Sequence, residues 1–156
     1  MEKKKIKHDY ITGLEKARKY CAYQERSQFE VRNKLYELGL YPKEVEQGIA
    51  QLIEENFVNE ERFAKIYSRS KFNQLKWGKN KIKEGLKHHR ISDFCIKSGL
   101  KEINSSAYTK TVQLLYKKRI DDKKTKVSKA EHQKAIKYIL SKGFEYEVIL
   151  DALKIE

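Results

Sequence analysis

Nine basic side chains fall within residues 65 to 90 against Glu84 alone: Lys65, Arg69, Lys71, Lys76, Lys79, Lys81, Lys83, Lys87 and Arg90, a net charge of +8. Charge this dense neutralises phosphates and releases their counterions, which is the chemistry of polyanion binding and weakens steeply with salt. Lysine predominates, and a lysine ammonium meets a phosphate as a point charge, without the bidentate fork by which arginine reads guanine. The run therefore predicts contact with nucleic-acid backbone and little sequence preference. A second run, residues 117 to 137, holds nine basic residues against Asp121, Asp122 and Glu131, whereas residues 1 to 50 hold eleven basic against eight acidic. The bland reading is a lysine-rich solvated surface; the whole-chain charge of +13 favours a polyanionic partner, DNA or RNA.

Other reactive side chains form no constellation. His88 and His89 are adjacent, so on a helix they point about 100° apart and cannot share a metal as an i, i+4 pair does. Cys21 and Cys95 lack a second Cys or His at metal spacing and read as small buried side chains; Cys95, near His89 and Arg90, is a weak thiolate candidate. Asp121-Asp122 would suit a metal nuclease, but a carboxylate pair between Arg119 and Lys123 reads first as local charge balance at a helix boundary. Phosphate-cradling glycine loops, nucleophile elbows and Cys-x-x-Cys pairs are absent from the sequence. No enzyme activity, cofactor or metal is expected. Of the aromatics, Phe72 and Trp77, interleaved with Lys71, Lys76 and Lys79, are the candidates for stacking on bases, although Trp77 beside Gly78 reads first as a plug whose indole N–H reaches a carbonyl.

The elements that carry these residues repeat. Residues 27 to 52 lay over residues 78 to 103 without a gap, placing Val31, Leu35, Leu40, Val45, Ile49 and Leu52 on Ile82, Leu86, Ile91, Ile96, Leu100 and Ile103. A weaker third copy sets Gly39-Leu40 on Gly143-Phe144 and Val31, Leu35, Val45 and Ile49 on Ala135, Ile139, Ile149 and Leu153. Within a copy the spacing Val31, Leu35, Leu38, then Val45, Ile49, Leu52, gives two amphipathic helices joined by a turn. Ser27 and Glu30 predict a capping box, Gly39 a left-handed helix stop, and Pro42 the first turn of the next helix. Ser128, Glu131 and Gly143 repeat the device. A leading helix precedes each pair: Leu14 to about Gln24, Glu60 to about Leu75, and Ala107 to about Arg119. No segment alternates long enough to make a sheet.

The expected architecture is all-α: an elongated, curved array of three tandem three-helix repeats, residues 11–57, 58–104 and 105–156, behind a flexible basic arm, residues 1–10. Such modules are marginal alone and stabilise one another when stacked. No apolar run reaches the roughly 20 residues of a membrane span, and the basic start lacks the apolar core of a signal peptide, so a cytoplasmic monomer without membrane contact is expected.

Asn59-Glu60-Glu61-Arg62-Phe63-Ala64, then Tyr67, Arg69, Trp77-Gly78, Ile82 and Leu86, resemble the central signature of the RecX family, bacterial regulators of the RecA recombinase. Ser27, Glu30, Val31, Lys34-Leu35 and Gly39-Leu40 match the family's first unit, and Gly143-Phe144-Glu145-Tyr146 its last. The resemblance runs from about Leu14 to Leu153 and rests on the order of these motifs. It implies a non-catalytic helical array that binds the RecA–DNA filament and single- or double-stranded DNA, suppressing filament extension, ATP hydrolysis and strand exchange in recombination, DNA repair and the SOS response. A stand-alone, sequence-nonspecific nucleic-acid-binding repeat protein is the alternative. Arg62, Phe63, Ala64, Tyr67, Trp77 and Gly78 are expected to be architectural, with Arg62 bracing Glu60 or Glu61, and the nine basic residues to contact DNA or filament. Two departures stand out: Gly85 interrupts a helix, at up to about 1 kcal/mol relative to alanine, and Arg90 occupies the place of Gly39.

Overall fold

Local chemistry sets the helix boundaries in the computed structural model, which describes residues 7–120 and 126–154. All regular structure among the described residues is helical, in the order α1 (Tyr10–Tyr23), α2 (Gln28–Glu37), α3 (Pro42–Glu54), α4 (Glu60–Leu75), α5 (Lys79–His88), α6 (Asp93–Leu100), α7 (Ser105–Arg119), α8 (Lys129–Ser141) and α9 (Tyr146–Ala152). Ser27 and Glu30 form the capping box at the start of α2, and Asn59, Ser92, Asn104 and Ser128 accept a backbone N–H at the starts of α4, α6, α7 and α8. Gly39 and Gly143 take positive φ after α2 and α8 (89° and 98°). Arg90, where the repeat register places the counterpart of Gly39, takes the same conformation without being glycine (φ 63°). None of the helices among the described residues is long and apolar enough to cross a membrane.

The helices pack as consecutive triplets, α1–α3, α4–α6 and α7–α9, here called units 1, 2 and 3. The repeat register survives in burial: Val31, Leu35, Val45, Ile82, Leu86, Ile96, Ile139 and Ile149 are all buried. The cores do not follow the repeat, however. Unit 1 has its own core around Val31, Leu35, Val45 and Leu52, whereas units 2 and 3 share one continuous core running from Phe63 through Ile82, Tyr108 and Ile139 to Phe144. Three stacked modules are thus one core plus a fused pair.

Three expectations require correction. Residues 7–10 are not a free arm: Asp9 caps α1, Tyr10 begins it, the His8 amide donates to the Leu38 carbonyl at 3.0 Å, and the Lys7 ammonium sits 3.3 Å from the Tyr41 ring centre. Residues 1–6 lie outside the described residues. Helix α1 consequently starts before Leu14, because a capping Asp9 and the Tyr10–Gln51 hydrogen bond at 2.8 Å extend it beyond its apolar stripe. Gly85 is more than a weak point in α5, since a Cβ there would lie 2.0 Å from the Tyr67 hydroxyl; the missing side chain is the surface on which Tyr67 rests.

Candidate nucleic-acid interface

Helices α4 and α5 carry eight of the nine candidate basic residues or hold them at their ends, and the helical period divides these among faces. Lys71 lies about 200° around α4 from Arg69. Lys65 and Arg69 border a shallow polar cleft with Asn59, Arg62 and Glu102, and Lys65 is paired with Glu61 at 3.4 Å. Lys79, Lys83 and Lys87 follow one another at four-residue spacing along α5, with Lys83 and Lys87 exposed. Arg90 lies past the end of α5, its guanidinium 5.4 Å from the Phe29 ring centre of unit 1. Lys76 closes α4 in the left-handed conformation and donates to the Asn73 carbonyl. The nine residues therefore form no single patch.

What the structure does bring together is Lys71, Trp77 and Lys81. The ammonium groups of Lys71 and Lys81 lie 5.1 and 4.7 Å from the Trp77 ring centre, and Lys71 is also 5.2 Å from that of Tyr67. Among the described residues, Lys71, Lys76, Lys79, Lys81, Lys83 and Lys87 have no carboxylate within ion-pairing distance. Their charge remains available to an external anion.

A close backbone junction fixes this surface. The amides of Gly78 and Asn80, at the start of α5, donate to the carbonyls of Lys142 (2.8 Å) and Gly143 (2.9 Å), just past the end of α8. Amides unsatisfied at one helix N-terminus meet carbonyls unsatisfied at another's C-terminus, so charge and hydrogen bonding agree. A Cβ on Gly78 would lie 2.3 Å from the Gly143 carbonyl carbon, so the approach requires glycine. Lys142 donates to the Leu75 carbonyl at 2.7 Å. Beneath, the Tyr108 hydroxyl donates in a short bond to Glu145 and accepts from the Lys79 amide at 2.9 Å; burial, then the Glu145 contact, drive the Tyr108 pKa far up, keeping the phenol neutral.

The motif residues prove architectural in part by other partners than expected. Phe63 and Ala64 are buried, and Arg62 braces neither Glu60 nor Glu61. Its guanidinium reaches back to unit 1, donating to Glu25 (2.9 Å) and to the carbonyls of Asn56 (3.0 Å) and Phe57 (3.3 Å), while Glu61 pairs with Lys65 and Glu60 accepts from the Ser92 amide. Phe72 is 7% exposed and packs towards Tyr108, which removes it as a stacking platform. Trp77 is half-buried, and its indole N–H finds no acceptor among the described residues. Sequence reasoning missed Glu25, Lys142 and Tyr108, whose roles depend on partners in another unit, and Glu145, which holds Tyr108 from within unit 3.

Reactive groups elsewhere are quiet. Burial pushes the Cys21 thiol up to about 11 and also raises that of Cys95, which donates to Glu60 at 3.7 Å, so neither is a ready thiolate. His88 and His89 lie with ring centres 6.1 Å apart, and His89 turns inward to Ser27 (3.0 Å) and Glu30 (3.5 Å). No group of three His, Cys, Asp or Glu among the described residues is placed to hold a metal. Asp121 and Asp122 lie outside the described residues.

Comparison with known proteins places this geometry. Residues 59–100, which span α4 to α6, match the family model for the second three-helix domain of RecX. The regulatory protein RecX of Mannheimia succiniciproducens is 30% identical over 129 residues, covering 82% of this chain and 83% of that protein. That of Lactobacillus johnsonii is 29% identical over 149 residues, covering 92% of this chain and 54% of the relative; the chain spans about half the length, 50 to 58%, of the first Lactobacillus, Clostridium and Streptococcus relatives it matches. The crystal structure of RecX from Lactobacillus salivarius superposes with a TM-score of 0.85 at 24% identity, covering 93% of this chain and 94% of the other. With that fold, the matched central domain and a relative aligned over most of both lengths, the chain belongs to the RecX family of regulatory proteins.

Proposed function

We propose that this chain is a non-enzymatic regulator of a RecA recombinase: it binds the RecA filament on DNA, and DNA itself, and restrains filament extension, ATP hydrolysis and strand exchange in recombination and repair. The observation that carries the reading is the set of lysines on α4 and α5 without carboxylate partners, which lie within or beside the segment matched by the RecX central domain. Ammonium groups held on a folded surface exchange bulk counterions for phosphates, giving affinity for the nucleic acid that a filament encloses. Lysine in place of arginine makes this grip indifferent to sequence, as a protein acting along a filament requires. Regulation then needs no chemical step, only occupancy of a surface that the next recombinase subunit or the exchanging strand would use.

The test is DNA-dependent ATP hydrolysis by the cognate RecA, with this chain added before or after filament assembly and DNA in excess. Suppression supports the regulator, and stronger suppression on early addition assigns it to filament growth. Reversing Lys79, Lys83 and Lys87 to Glu is expected to weaken DNA binding by at least about tenfold at moderate salt without unfolding the chain. Unchanged hydrolysis alongside salt-sensitive binding to bare DNA would replace this reading with a stand-alone nucleic-acid-binding module.

A further inference from the structure

We propose that Trp77, Lys71 and Lys81 form a nucleotide subsite for single-stranded nucleic acid, in which one base stacks on the indole and the two ammonium groups take the adjoining phosphates. The inference rests on the reading above that the chain binds nucleic acid, and names where an unpaired strand would be held.

Four observations converge on this place. The indole is half-buried against the core of units 2 and 3, so its position is fixed while part of the ring remains accessible. Its N–H has no acceptor among the described residues, leaving a donor for a base or phosphate oxygen. The two ammonium groups over the ring have no carboxylate within ion-pairing distance. A cation–π contact at such an accessible site is weaker than a charge-assisted bond to phosphate, so both lysines can leave the indole for a phosphate and uncover a face for a base. Finally, the site is rigid: the Trp77 amide donates to the Lys71 carbonyl at 3.2 Å, and the neighbouring Gly78 is clamped to Lys142. An unpaired base offers a face to the ring; a base inside a duplex is already stacked, which sets the preference for single strands.

Trp77 is the chain's only tryptophan, so its emission reports on this site alone. Titrating the full chain with a short oligodeoxythymidylate is expected to quench that emission saturably, while a duplex of equal length does not. In parallel, binding read by anisotropy of the labelled oligonucleotide is expected to weaken about tenfold for Trp77→Ala, to stay near wild type for Trp77→Phe, and to lose about 1.4 from its salt slope for Lys71→Gln with Lys81→Gln. Oligonucleotide binding that leaves the emission unchanged overturns the subsite, even if Trp77→Ala fails to fold. Suppression of RecA by Trp77→Ala at wild-type strength, with no quenching in the wild type, would retain the regulator and reject the subsite; quenching without any effect on RecA would do the reverse.

Discussion

Units 2 and 3 meet backbone against backbone, whereas units 1 and 2 meet through charged and polar side chains. At the first of these junctions Gly78 and Gly143 allow main-chain hydrogen bonds of 2.8 and 2.9 Å, with Phe144, 1% exposed, inserted beside Tyr108. At the other, Arg62 pairs with Glu25, and His89 lies between Ser27, Glu30 and the Phe63 ring, bordering a cleft of about 370 Å³ lined in part by Glu25, Glu30, Tyr67 and Lys71. A contact made by short main-chain bonds adds to a shared core and opens only when that core opens. A polar contact beside an open cleft is partly screened and exchangeable with water, so it yields at lower cost. The basic platform of α4 and α5 thus rides on a fused body, with unit 1 joined to it by a softer link.

Breaking the backbone junction should produce the largest effect. Phe144→Ala removes a buried ring and is expected to cost about 4 kcal/mol, read from the urea midpoint, with units 2 and 3 unfolding together. Gly78→Ala is expected to cost about 3 kcal/mol by the same measurement, because its Cβ would meet the backbone of Gly143 and Phe144, which cannot move as a side chain tip can. At the polar junction Arg62→Ala should cost about 1 kcal/mol, since its partners remain near water, and should speed amide exchange from Asn56 to Asn59 while leaving units 2 and 3 unchanged.

The smallest effect is a pH dependence confined to the polar junction. Burial holds the His89 imidazole below its ordinary value of 6.5, helped by His88 and Lys71 and opposed by Glu30. The unfolded chain therefore takes up this proton before the folded chain does. Stability present above pH 6.5 is lost as pH falls through the lower folded-state value. His89→Gln should flatten that part of the profile, measured by comparing thermal midpoints of the two proteins between about pH 8 and pH 5.

Features decided within a few residues were legible from sequence alone. The Ser27–Glu30 capping box, the Gly39 and Gly143 stops, Pro42 and the span of α4 all follow from neighbours in the chain. Partners brought together by packing were not. Gly143 signals a turn, but nothing near it names Gly78; Arg62 has Glu60 and Glu61 close in sequence, yet pairs with Glu25 because the turn after α1 is folded against α4. The basic run was visible as charge, but its division into a Lys65–Arg69 edge and a Lys71–Trp77–Lys81 cluster arises from how α4 and α5 are rotated against the shared core. Tyr67 likewise explains Gly85 only once the two helices are packed.

Native-state hydrogen exchange of the full chain across a low urea series tests most directly whether the platform rides on a fused body. The amides of Ile82, Leu86, Ile139 and Ile149 should converge on one opening free energy and one urea dependence, while those of Val31, Leu35 and Ile49 open separately and at lower cost. Separate isotherms for units 2 and 3, or a single isotherm joining unit 1 to unit 2, would contradict the account.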